Sequence, residues 1–338
     1  MKILIAACAS VIVVILAMAN LFVGHAQQAV IRPSQAQQES QIQPPKLDAG
    51  ARLNPLKIAL LHWYLADTST VFPVGNQPYG LCFDGTNIWT ANFAGNNVTK
   101  IRASDGQLLG TFDVGSQPFG VTFDGANIWA SNEIDNTVTK LRASDGKTLG
   151  TFRTGMFPAW TAFDGQNLWV PNARDNTVSK MRTTDGQILG TFAVGSSPTA
   201  IAFDGVNVWV TNDGSSSVTK LRALDGAVLG TFGVGTNPLG IAFDGANIWV
   251  ANRNSNTMTE LRASDGVVLG TFPVPANGPY GVAFDGTYIW ISGDSNLVIL
   301  RASDGAQVAS RRLNSAGVAF DGVYVWTAET NTNRLHKF

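Results

Sequence analysis

Residues able to do acid–base, nucleophilic or metal chemistry are sparse in this chain, and their spacing does not assemble an obvious catalytic set. There are three histidines, His25, His62 and His336, far apart in sequence. None follows the spacing of a zinc site, and no Ser, His and Asp fall into a nucleophile–base–orienter pattern. Of the two cysteines, Cys8 lies in an apolar N-terminal run, and Cys82 occupies a position filled elsewhere by Thr122, Ala162, Ala202 and Ala242. Such a cysteine is expected to be a small apolar filler rather than a reactive thiol. Two other groups could act on a ligand. The aromatic residues Tyr79, Phe119, Phe157, Trp160 and Tyr280 offer faces for stacking. The charged residues Glu133, Asp135, Arg174, Asp175, Asp213 and Arg253, with Asp294 and Glu329 further on, offer ion pairs and hydrogen bonds. Aromatic faces beside mixed charge suit a sugar, a peptide or a protein partner. A carboxylate-only metal site built from Glu133, Asp135, Asp175 or Asp213 has no supporting pattern, so neither metal nor cofactor is expected.

These residues are positioned by a repeat. The text Phe-Asp-Gly, then Asn or Tyr two residues on, an apolar residue and Trp begins at Phe83, Phe123, Phe163, Phe203, Phe243, Phe284 and Phe320. The intervals are 40, 40, 40, 40, 41 and 36 residues, the mark of stacked repeat units that bury their faces against one another. One copy reads as four strands: Leu239 to Phe243, Asn247 to Ala251, Thr257 to Ala263 and Val268 to Val274. Asp-Gly turns join the first to the second and the third to the fourth. Gly, Pro, Asn and Asp interrupt any helical alternative. Seven such units predict an all-β, seven-bladed β-propeller with four antiparallel strands per blade. The last copy stops inside its third strand, and Thr70 to Gly75 repeats the fourth-strand text Gly110 to Gly115. An N-terminal strand should therefore complete the last blade and close the ring, removing an unpaired edge.

The repeat sorts framework from free residues. The tryptophans from Trp89 to Trp326 that recur once per copy are expected between blades, the aspartates before Gly in turns, and the arginines before the second Asp-Gly turn as structural donors. The constant turns share one face. The opposite face carries the variable second-to-third loops and fourth-to-first connections and is the expected functional surface. On the inner strand five copies have Gly80, Gly120, Gly240, Gly281 and Gly317, whereas one has Ala200 and one has Trp160. Trp160 should therefore fill or gate the channel mouth. With Tyr79, Phe119, Phe157 and Tyr280 it forms either an aromatic cup for a ligand or a dry plug.

Composition and the N-terminus bound the setting. Charged residues are 14% of the chain and the net charge is −1, which disfavours nucleic-acid binding through counterion release. Residues 1–26 read as a signal peptide, with Lys2, an apolar run from Ile3 to Val23 and small residues before Gln27. The run is also long enough for an uncleaved membrane anchor. Residues 27–56, rich in Gln and Pro, read as a disordered tether. Residues 57–68 read as an apolar docking segment, and 69–338 as the propeller, expected to be a monomer.

The second-strand texts Trp209-Val210-Thr211-Asn212 and Trp249-Val250-Ala251-Asn252 resemble the repeat motif of YVTN-family β-propeller proteins across all seven copies. That resemblance implies an exported or surface-located propeller used for binding or assembly. The FDGxNIW text is also similar to the blades of NHL-repeat proteins and of virginiamycin B lyase. The lyase family implies a histidine and an acidic metal site at the channel mouth, and no blade loop here supplies a matching histidine. The expectation is an exported, periplasmic, secreted or cell-surface binding scaffold. Its partner would be a protein, glycan or small molecule at the variable face. The alternatives are a metal-assisted lyase or lactone hydrolase and a carbohydrate-binding propeller.

Overall fold

The computed structural model describes residues 69–338. The signal, tether and docking segment expected over 1–26, 27–56 and 57–68 lie outside the described residues. Seven four-stranded antiparallel sheets are present, each one blade. Blade 1 runs Pro78–Phe83, Asn87–Asn92, Asn97–Arg102 and Leu108–Asp113, from the inner strand to the outer. Blades 2 to 6 repeat this order. Blade 7 combines Val318–Phe320, Val325–Glu329 and Arg334–Lys337 with the N-terminal strand Thr70–Pro73 as its outer strand. Thr70 pairs with Lys337 and Pro73 with Arg334, so the ring closes as the sequence predicts.

Each constant Phe-Asp-Gly turn is a small hydrogen-bonded device. In blade 1 Asp84 Oδ1 accepts the N–H groups of Thr86 and Asn87, which closes the hairpin. Asp84 Oδ2 accepts the indole N–H of Trp89 at 2.7 Å. The same bond recurs from Trp129, Trp169, Trp209, Trp249, Trp290 and Trp326, at 2.7–2.8 Å. The ring of aspartates thus shapes turns and satisfies buried indoles, which otherwise carry an unpaired donor into the core.

Seven hydrophobic clusters hold the blades together, one at each junction. Trp209 and Val218 of blade 4 pack with Ile248, Val250 and Leu261 of blade 5, for example. Ile88 and Ile101 of blade 1 pack with Trp326 and Leu335 of blade 7, which seals the ring. Cys82 packs against the cluster between blades 1 and 2, and burial, with Asp84 adding to it, pushes its thiol pKa far up.

A second fastening was not read from the sequence. Lys100, Lys140, Lys180 and Lys220 are buried on third strands. Each sends its ammonium to a carbonyl of the next blade's second Asp-Gly turn, those of Ala143, Thr183, Ala223 and Ala263, at 2.6–2.7 Å. Each also lies 4.9–5.4 Å above a framework indole. Lys337 does the same from blade 7 to Ala103. In blades 5 and 6 the matched residues are Glu260 and Ile299, so two junctions lack the latch. The repeated arginines instead form exposed ion pairs with the aspartate three residues on, such as Arg182 with Asp185 at 2.9 Å.

The junction between blades 6 and 7 has its own repair. Where other outer strands carry a phenylalanine stacked on the framework Trp, blade 6 has Arg311. Phe338, at the position held by Ile101 and Leu141 in other blades, packs there with its ring centroid 6.1 Å from that of Trp290, and the Arg311 guanidinium lies 5.1 Å over its ring.

Candidate functional site

The two variable loop types do share one face, where they are stitched together. Asn96, at the end of a second-to-third loop, has φ 54°, and its side chain accepts the N–H of Gln117 in the next blade's connection. Asn136 to Phe157, Asn176 to Ser197, Asn256 to Gly278 and Asn333 to Gln77 repeat the stitch. The loop that starts after each second strand places its first residue at matched positions: Phe93, Glu133, Ala173, Asp213 and Arg253 in blades 1 to 5.

The inner strands carry the aromatic residues on a β-bulge. In blades 1, 2, 4, 5 and 6 pairing slips between the strand's opening Pro and the residue three on. Two residues then oppose one, which bends the strand and re-aims a side chain. Tyr79, Phe119 and Tyr280 stand first in this bulge and the glycine stands second. The glycines are needed because inner backbones approach closely. A Cβ on Gly317 or Gly240 would run into the Tyr79 or Tyr280 carbonyl.

Blade 3 departs from this pattern. Trp160 replaces the glycine, and Pro171 stands opposite, where Ser131, Thr211 and Ser292 elsewhere accept the bulge N–H on their hydroxyls. Pro171 has no hydroxyl, and its ring weakens the ladder there. Regular inner pairing in blade 3 shrinks to Ala162–Phe163 plus an isolated bridge from Pro158 to Asn172. The Trp160 N–H turns instead to the Thr199 carbonyl of blade 4, at 3.0 Å. A Cβ on Gly120 would meet Trp160 Cα at 3.0 Å, so the bare glycine makes room for this residue.

The aromatic side chains meet as a continuous layer. Trp160 lies 4.7 Å from Phe119 and 5.1 Å, edge-on, from Tyr280 of the distant blade 6. Tyr79 closes the group at 5.3 Å from Phe119 and 6.1 Å from Tyr280. Phe93, which the sequence reading passed over, joins at 5.2 Å from Tyr79. Beneath lies a channel cavity of about 150 Å³. It is walled by one aliphatic from each of six blades (Leu81, Val121, Ile201, Ile241, Val282, Val318), with Trp160 and Thr161 from the other. Trp160 thus belongs both to the cavity wall and to the aromatic layer over the mouth.

Phe157 is not part of this layer. It has φ 57° where matched loops hold Gln77, Gln117, Ser197 and Asn237. A bulky residue in the left-handed region costs about 1–2 kcal/mol. The Arg174 guanidinium lies 3.5 Å from its ring centroid.

The charged candidates divide into two sets. Asp135 and Asp175 are exposed and engaged in loop structure, accepting the N–H groups of Ser116 and Met156 at 2.7 Å. Arg253 pairs with Asp294 at 3.0 Å and lies 5.5 Å over the Tyr280 ring. Glu133 and Asp213 are different. Both are half-buried, and burial raises both carboxyl pKa values, opposed by Arg174 for Glu133 and by Arg253 for Asp213. Asp213 Oδ1 is buried with no hydrogen-bond partner, and no described residue donates to Glu133. Burial also pushes the hydroxyl pKa values of Tyr79 and Tyr280 up; Arg253 opposes the shift in both, while Glu133 and Asp294 add to it. Neither hydroxyl has a partner among the described residues. Polar groups on an aromatic layer, left unpaired by the protein, are equipped to hold a ligand's polar atoms.

Among the described residues, no three His, Cys, Asp or Glu side chains converge as a metal-binding group. His336 lies in blade 7, its Nε2 3.0 Å from Glu329 and its Nδ1 3.3 Å from the Ser69 hydroxyl. Glu329 replaces the asparagine that ends most second strands, and His336 replaces the Thr or Ser bonded to it, as in Asn92 with Thr99.

No protein-family model matches the chain, and no curated protein matches it. Solved structures do match. A chain of hydrazine synthase from Kuenenia stuttgartiensis aligns with a TM-score of 0.71 at 18% identity, covering 81% of this chain and 97% of that one. A streptogramin B lyase aligns with a TM-score of 0.69 at 18% identity, covering 80% and 96%. A catalytically inactive virginiamycin B lyase from Staphylococcus aureus, with quinupristin, aligns with a TM-score of 0.69 at 19% identity, covering 80% and 98%. At these identities the likeness is one of fold.

Proposed function

We propose that this protein is an exported binding propeller that holds its ligand on the variable face, at the aromatic layer over the channel mouth. The observation that carries the proposal is the set of four polar groups, Glu133, Asp213 and the hydroxyls of Tyr79 and Tyr280, whose side chains make no hydrogen bond within the described residues, Asp213 Oδ1 being fully buried as well. Leaving a half-buried carboxylate without a hydrogen-bond donor is costly for the folded state, and a ligand that donates to it offsets the cost. Blade 3 concentrates the departures from the repeat (Phe157, Trp160, Pro171), as expected of a scaffold adapted at one place.

The test is thermal shift of the full chain and of Trp160→Ala against short peptides, sugars, lactones and small amines. A shift in the parent protein that Trp160→Ala loses supports the mouth as the site. Shifts of equal size in both proteins contradict it. The second reading, a metal-assisted lyase or lactone hydrolase, draws on the fold likeness to streptogramin B lyase. Incubation with quinupristin, with and without added divalent metal, tests it by loss of the intact compound.

A further inference from the structure

We infer that the ligand class of the channel mouth is cationic: an amine or quaternary ammonium group carried on an apolar or aromatic body. The inference rests on the reading that the mouth is a binding site and names what it selects.

Two guanidinium groups stand at the mouth, Arg174 acting on the charge of Glu133 and Arg253 on that of Asp213, but neither gives a hydrogen bond to these carboxylates. The Arg174 guanidinium lies 3.5 Å from the Phe157 ring centroid, and Arg253 pairs with Asp294 at 3.0 Å. The three carboxylates outnumber the two guanidinium groups, and with Asp294 taken by Arg253, two are left without a hydrogen-bond donor, Glu133 of blade 2 and Asp213 of blade 4. They stand at the same position of their respective blades, on either side of blade 3, whose matched residue is the small Ala173. Blade 3 is also the blade that delivers Trp160. The mouth therefore has an indole and four further aromatic rings beneath, an alanine between, and on each flank a carboxylate with no hydrogen-bond donor.

Each feature favours a cation over other ligands. Desolvated carboxylates repel anions and gain most from a positive partner. The negative faces of Trp, Tyr and Phe attract ammonium groups, more so away from water. The buried Oδ1 of Asp213 is an acceptor with no donor, and an ammonium N–H supplies one. A neutral sugar would use the tyrosine hydroxyls but leave the net negative charge of the mouth uncompensated. Flanking carboxylates over an aromatic floor are the means by which proteins in general select amines from neutral molecules of the same shape.

The experiment uses the full chain and two probes of matched shape, phenethylamine and its neutral counterpart 2-phenylethanol, with binding read by ligand-observed NMR. The amine should bind roughly tenfold tighter than the alcohol. The double substitution Glu133→Gln with Asp213→Asn should remove that preference while leaving alcohol binding unchanged. Both substitutions are close to isosteric at loop positions, and a circular dichroism melt checks that the fold survives. Equal binding of the two probes to the parent protein overturns the cationic assignment, as does a preference that survives the double substitution or the absence of amine binding at about 10 mM. If the assignment fails while a neutral ligand still shifts the melting of the parent protein and not of Trp160→Ala, the mouth remains the site and only its selectivity is different. If Trp160→Ala changes nothing for any ligand, the site itself is refuted.

Discussion

Replacing Lys180 by methionine tests whether the lysine latches, and not only the hydrophobic clusters, hold the ring together. The Lys180 ammonium gives hydrogen bonds to the carbonyls of Ala223 at 2.6 Å and Leu224 at 3.0 Å, and lies 5.4 Å from the Trp169 ring. Methionine keeps most of the aliphatic stem and loses all three interactions. Hydrogen bonds involving a charged group contribute about 1.5–3 kcal/mol each. Desolvating the ammonium and ordering its stem offset part of this. The expected net loss is about 2–4 kcal/mol, which for a domain of this size lowers Tm by roughly 5–10 °C. Arg182→Met is the control. It lies on the same strand, but its partner Asp185 is solvent-exposed, so Tm should stay where it is. Differential scanning calorimetry of the two variants decides the matter. Equal melting of Lys180→Met and the parent protein, or equal losses in both variants, would show that the lysine latches do not hold the ring.

Glu260→Lys should raise Tm, because lysine at this position can reach the next blade's turn as Lys220 does; calorimetry showing a lower Tm would mean the blade 5–6 junction is built differently. The Glu133→Gln and Asp213→Asn substitutions should each stabilise the unliganded protein at pH 7. Both carboxyl pKa values are raised in the folded state, so their favourable contribution is complete below the unfolded pKa and is lost as pH rises through the folded value. The stabilisation should therefore shrink as pH falls into the carboxylate range, and denaturant melts across pH 3–8 that showed it constant would contradict the assignment. Phe338→Ala should cost about 2–3 kcal/mol in urea unfolding, since the ring packs beside Trp290 on the cluster between blades 6 and 7; an unchanged midpoint would show that the contact contributes nothing.

The architecture was legible because each physical requirement repeats seven times. Turn chemistry at Asp-Gly, alternation on the strands and the matching text of Thr70 to Gly75 each point to the same ring. The fastenings were less legible. The bond from each aspartate to the tryptophan five residues on crosses a hairpin, and becomes visible only when the turn closes. The lysines read as ordinary surface charge, although their recurrence every 40 residues from Lys100 to Lys220 was a signal. At the mouth, the meeting of Trp160 with Phe119 is close to what residue types alone suggest. Phe93 was missed because it is aromatic where matched positions are Glu133, Ala173, Asp213 and Arg253. The separation of Phe157 from that layer, its left-handed backbone and the part Pro171 plays depend on local φ and pairing. So does the engagement of Asp135 and Asp175 in loop bonds, which residue letters do not distinguish from the lack of hydrogen-bond donors at Glu133 and Asp213.

If ligand is held at the mouth over Trp160, the indole N–H signals of the 15N-labelled protein will report it. The seven framework indoles are locked to their aspartates, while Trp160 belongs to the layer and is assigned by the loss of one signal in Trp160→Phe. Titration with any ligand found by thermal shift should move the Trp160 signal and leave the seven framework signals in place. A titration that moved framework indoles while Trp160 stayed fixed would place the ligand elsewhere on the propeller and contradict the account.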